Sequence, residues 1–147
     1  MISRLFTFGV LSAGLCLAAC APEKADEQLI LVNTLMMEEL DPAVDGIWDK
    51  GGYILTPGHE ESLFPETDEE WAEVAASAEE VAAVAMKLSG EPYAMGREDW
   101  IEISEGLVAA AYTARDAANA QDKDAVFNAG GHIYRVCLSC HERYARD

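Results

Sequence analysis

Apolar positions recur three and four residues apart in four separate stretches of this chain. In the first, beginning near Lys24, Leu29, Val32, Met36 and Leu40 share one helical stripe, with Asn33 and Met37 beside it. Asp41–Pro42 should disturb that helix, because a residue before proline avoids helical dihedrals. Yet Val44, Ile47 and Trp48 continue the stripe in phase. One kinked helix to about Trp48 accounts for this. The alternative is a second short helix, with Asp41 as N-cap and Pro42 at its first position. Residues 50–66, "KGGYILTPGHEESLFPE", hold three glycines and two prolines and read as a long loop.

Thr67 opens the second helix with a capping box, Thr67 as N-cap and Glu70 three residues on. It runs to about Ser89, with Gly90 as its stop. Trp71, Val74, Ala78, Val81, Ala82, Ala85 and Met86 form its apolar face. The third helix spans roughly Glu98 to Ala120, with Trp100, Ile103, Leu107, Ala110, Ala111, Ala114 and Ala118 inward. Asp122 or Asp124 caps the fourth, which runs to about Tyr144. Nothing alternates with period two for long enough to predict a sheet. The expected fold is all-α, an antiparallel four-helix bundle over residues 29–147, because short links join neighbouring helices antiparallel. Trp48, Trp71 and Trp100 are expected in its core.

The first nineteen residues stand apart. Arg4 is their only charge, and the apolar run after it is short for a transmembrane helix, so residues 1–19 read as a signal peptide. Its end, Leu17 to Cys20 ("LAAC"), resembles the lipobox of bacterial lipoproteins, which implies an acylated Cys20 as the first mature residue. The competing cut, by ordinary signal peptidase, would leave Pro22 first or a free Cys20. With residues 20–28 as lipidated cysteine and polar tether, the expected location is the periplasm, anchored to a membrane by lipid. Cys16 leaves with the signal and Cys20 takes lipid. Of four cysteines, only Cys137 and Cys140 then remain in the folded part.

The 27 acids against 10 bases give a net charge of -17, which argues against nucleic acid and suits a basic partner surface or plain solvation. The chemistry sits at the far end, in "VCLSCHERYARD". A redox dithiol would want the pair at a helix N-terminus after a strand. A zinc site would want four ligands, and His59 and His132 are isolated. Haem fits better. Cys137 and Cys140 lie one turn apart, able to form two thioethers, and His141 lies four residues from Cys137 on the same face. C-x-x-C-H is the attachment signature of haem c, and export agrees with it.

With that motif on the last helix of a four-helix chain, and with Tyr144 and Arg146 after it, the chain resembles the cytochrome c prime superfamily over roughly residues 25–147. The resemblance implies one covalent haem c on the C-terminal helix, with His141 as proximal iron ligand. It implies a sixth position supplied from helix one. Met36 is the expected ligand there, following a leucine on the apolar stripe. Met37 is the lesser choice, and core filler is the bland reading of both. Met86 and Met95 are weaker candidates. A methionine ligand implies a low-spin electron carrier with a protein redox partner. A free sixth position implies a five-coordinate module that binds nitric oxide or carbon monoxide. A third reading has the haem as core filler in a partner-binding subunit. The family's helix-one arginine, which pairs with a haem propionate, is replaced by Val32, leaving Arg135, Arg143 or Arg146 as substitutes. Members often form homodimers through helices one and two. No acid–base pair suited to substrate turnover is visible.

Overall fold

The computed structural model describes residues 22–145, with side chains from Glu27 onward. The signal peptide, Cys16, Cys20 with its expected lipid, and Arg146 lie outside the described residues. Among the described residues the chain is mostly helical, with four helices and one small two-stranded sheet. This arrangement is compatible with a helical bundle.

The first helix is continuous but irregular. It comprises α1 (Pro22–Leu35), a π-helical turn (Met36–Leu40) and α2 (Asp41–Trp48). Of the two layouts the sequence allows, the single helix is the one observed, since Leu40 and Asp41 both keep helical dihedrals. Proline explains the turn. Pro42 has no amide hydrogen, and its ring crowds the carbonyl four residues back. The widened turn makes room for the ring: the Asp41 amide donates to the Met36 carbonyl, five residues back instead of four. α1 begins at Pro22, within the stretch expected to be tether.

Residues 50–66 are not all loop, as the sequence suggested. Strands β1 (Tyr53–Thr56) and β2 (His59–Ser62) pair antiparallel, with Thr56 opposite His59. Pro57 and Gly58 make the connection, and Gly58 has a φ of +84°, which glycine adopts without strain. The expectation of no sheet fails here because all eight strand residues are exposed. A hairpin with no buried face needs no alternation, so it leaves no period-two signal.

α3 (Asp68–Leu88), α4 (Glu98–Asn119) and α5 (Lys123–Tyr144) carry most of the core. The Thr67 capping box forms as expected: the Glu70 amide donates to Thr67 Oγ1 at 3.2 Å, and the Thr67 amide donates to Glu70 Oε2 at 3.2 Å. Asp122 caps α5 by accepting from the Ala125 amide at 2.9 Å. Ala78, Ala82 and Ala85 of α3 and Ala110, Ala111, Ala114 and Ala118 of α4 are all buried, so these two helices approach closely. Val44 and Ile47 of α2 and Val126 and Ile133 of α5 close the core from the other side.

Several expected core positions are not in it; Ile103 of α4, for one, is only half-buried. Met86 is about half exposed, because it lies one residue, roughly 100°, past Ala85 on α3. Trp48 is 38% exposed, lying on the surface of α5 with its indole N–H donating to the Gly130 carbonyl at 3.2 Å. Leu29 is 58% exposed, because its part of α1 borders an open cavity and not a packed helix. Trp71 and Trp100 are buried as expected, and Trp100 donates to the Leu88 carbonyl at 2.7 Å.

Thr67→Ala removes one acceptor of the capping box and is expected to cost about 1 kcal/mol in urea unfolding. The Glu70 carboxyl is held below its ordinary value, first by the amides of Glu66 and Thr67. A depressed acid contributes fully above its ordinary value and loses that contribution as pH falls through its own lower one. The stability gap between the native protein and Glu70→Gln should therefore shrink on acidification.

Candidate functional site

The π-helical turn in the first helix and the last two turns of α5 face a common space. An apolar cavity of about 320 Å³ lies there. Met36, Leu40 and Val44 line it from the first helix, Leu107 from α4, and Cys137, Cys140 and His141 from α5. A second cavity of about 330 Å³ adjoins it and shares Met36, Cys140 and His141. Leu29 and Val32 of α1, with Arg97 and Trp100, form other parts of its wall. The motif residues therefore belong to one site, and Met36, about a hundred residues earlier, belongs to it too.

The other histidine and methionine candidates fall elsewhere. Met37 is 70% exposed, and it, Met95, His59 and His132 line neither cavity. Met86 is likewise outside both. Among the described methionines, Met36 alone borders the CxxCH residues. It does so at the first residue of the π-helical turn, a kind of irregularity that often marks functional positions.

The two thiols are unpaired and half-buried. Burial pushes both above the ordinary thiol value. The Asp41 carboxylate adds to the effect at Cys137; at Cys140 the Cys137 neighbour adds to it and the Arg97 guanidinium partly offsets it. A redox-active dithiol needs a lowered thiol pKa at a helix N-terminus. This pair has the opposite shift and sits near the C-terminal end of α5. For zinc, no group of three or more His, Cys, Asp or Glu is clustered to hold a metal ion among the described residues.

Arg97 is the residue that sequence reading missed. It precedes α4 in a turn, and its position depends on tertiary contacts. Its guanidinium stacks over Trp100 at 4.5 Å and over Tyr144 at 5.0 Å from the ring centres. It donates to the Ala94 and Tyr93 carbonyls at 3.2 Å each. It has no carboxylate partner among the described residues, in a chain rich in acids. Gln28 of α1 also donates to the Tyr93 carbonyl, tying the start of the first helix to the same wall. Of the three arginines expected in this role, Arg143 pairs with Asp99 and Arg135 lines neither cavity.

Tyr144 completes the wall. Its ring meets Trp100 edge-on at 4.9 Å, and its hydroxyl is buried without a hydrogen bond of normal geometry among the described residues. Burial and the nearby Asp99 carboxylate push that phenol upward. No family model, curated protein or solved structure matches the chain. Among the described residues, no helix is long and apolar enough to cross a membrane.

The raised thiols give a test of the site in protein made without a prosthetic group. Alkylation by iodoacetamide should be slow at neutral pH, and its rate should keep climbing beyond the ordinary thiol value. A fast, pH-independent reaction near neutrality would restore the dithiol reading.

Proposed function

We propose that the chain is a c-type cytochrome that carries single electrons, exported to the periplasm and tethered to a membrane through Cys20. One observation carries the reading: Met36, Cys137, Cys140 and His141 line one apolar cavity. In this reading the fold is an antiparallel four-helix bundle with covalent haem on its last helix, as the resemblance to the cytochrome c prime superfamily implies.

The residues present fit the group. Cys137 and Cys140, one helical turn apart, offer two sulfurs for thioether bonds. His141 offers an imidazole for iron from the same helix, and Met36 offers a thioether from another. Leu40, Val44 and Leu107 supply apolar surface against which a flat macrocycle would be shielded from water. Haem, when bound, would supply a one-electron iron couple. The chain's own residues would set its tendency to accept that electron. Thioether ligation and apolar burial both favour the reduced form, because burial disfavours the more highly charged state.

Arg97 takes the place left open by Val32. Held by two rings and two carbonyls, and without a carboxylate partner among the described residues, its guanidinium would neutralise the acidic edge of the group in the second cavity. The acidic surface and the net charge of -17 suit a basic redox partner, with an encounter weakened by salt.

The optical spectrum tests the reading. The purified protein should be low-spin in both oxidation states, with a weak sulfur–iron band at the red end that Met36→Ala abolishes. A high-spin ferrous form that binds carbon monoxide at once, unchanged in Met36→Ala, would favour the gas-binding alternative.

Arg97 has its own readout. An adjacent guanidinium holds a carboxyl group about 1–3 pH units low. Arg97→Gln should therefore introduce a pH-dependent stretch in the reduction potential at higher pH, which Arg97→Lys should largely suppress. Equal thermal destabilisation of both variants with an unchanged pH profile would make Arg97 structural only.

A further inference from the structure

The outer face of α5 is aromatic where a surface helix is ordinarily polar. Phe127, Tyr134 and Leu138 recur on one face, with Gly131 between them, and all three are exposed. Trp48, at the end of α2, lies beside them, its ring meeting Tyr134 edge-on at 6.3 Å. Between them is an apolar groove of about 430 Å³, lined by Trp48, Phe127, Gly130, Gly131 and Tyr134. The groove is held in shape. The Trp48 indole N–H donates to the Gly130 carbonyl, and a Cβ at Gly130 would come within 3.3 Å of the indole. Glycine thus lets the tryptophan lie close against the helix.

Two further features say what covers it. Trp48 and Tyr134 also line the cavity of Cys137, Cys140 and His141, so the groove ends at the mouth of that cavity. On the α2 side, Asp41 and Asp45 line that cavity together with Trp48, and Asp49 follows at the same four-residue interval; all three are exposed and none is in an ion pair among the described residues. The Asp41 carboxylate reaches the cavity closely enough to raise the Cys137 thiol. Arg135 comes near Gly131, and Lys50, which follows Asp49, acts on Glu70; the three acids outnumber these two bases.

We infer that this groove is the docking face for a basic redox partner. Rigid aromatic rings give contact at small entropic cost, as in interface hot spots. The acids steer a positively charged protein towards it. Contact over Trp48 and Tyr134 brings the partner to the edge of the proposed prosthetic group. A second copy of this chain would bring like charge to the same acids. The inference rests on the carrier reading for what passes between the partners, but its test does not require electron flow.

The test measures affinity of the mature holoprotein for mitochondrial cytochrome c, used as a basic probe protein, at low and at physiological ionic strength. Phe127→Ser/Tyr134→Ser should weaken binding about tenfold at both, by loss of the apolar anchor. Asp41→Asn/Asp45→Asn/Asp49→Asn should weaken it about tenfold at low salt and flatten the salt dependence. Glu69→Gln/Glu73→Gln/Glu80→Gln, on exposed positions of α3, should leave it within about twofold. All altered side chains are exposed, so folding is expected to survive and is checked by circular dichroism. Equal losses in all three variants, or none in the groove variant, would overturn the docking face. So would self-association in sedimentation that Phe127→Ser/Tyr134→Ser abolishes. Absence of haem absorbance in the same sample would overturn the carrier reading alone.

Discussion

Pro42 has no amide hydrogen, and the rest of the site follows from how the first helix accommodates it. A regular helix through residue 42 would leave a carbonyl without its partner and press the ring on the preceding turn. The π-helical turn Met36–Leu40 just before it makes room for the ring, with the Asp41 amide donating to the fifth carbonyl back in place of the fourth. The helix continues, but the two sides of the turn serve different ends. α2 buries Ala43, Val44 and Ile47 in the core, while α1 leaves Leu29 and Ile30 largely exposed. Met36 stands at the junction, against Cys140 and His141. A proline that disturbs one helix thus helps shape the cavity that the other end of the chain borders.

The alanine-rich packing of α3 on α4 works in the same direction. Small side chains let those helices close on each other and fill their shared interior. The space between the first helix and α5 is not filled in this way. Its walls are apolar on several sides, and they carry two thiols, an imidazole, a thioether and an arginine without a carboxylate partner among the described residues. Apolar surface is costly to leave facing an open cavity, and a guanidinium with no carboxylate partner among the described residues favours an anionic neighbour. A flat, largely apolar group with an acidic edge would answer both, which is the physical content of the haem proposal.

What was legible from sequence was local. Thr67 with Glu70 and Asp122 with Ala125 announce their helix starts, because capping needs only residues three apart. Cys137, Cys140 and His141 could be placed on a shared wall because helical geometry dictates it over a single turn. Met36 could be chosen over Met37 from the stripe it continues, and it does border the motif. The failures were tertiary. The hairpin Tyr53–Ser62 carries no alternation because neither face is buried. Trp48 continues the apolar stripe and so reads as core, yet Gly130 offers it a shallow seat on the surface. Arg97 lies in a turn with no periodicity, and only its stacking on Trp100 and Tyr144, from α4 and α5, brings it to the cavity.

The most direct measurement is the intact mass of the exported, purified protein under denaturing conditions. The account predicts the mature chain, lipidated at Cys20, plus the mass of one haem that denaturation does not remove. Cys137→Ser/Cys140→Ser should lose that added mass. A native chain carrying no such addition, in cells that mature other c-type cytochromes, would contradict the account.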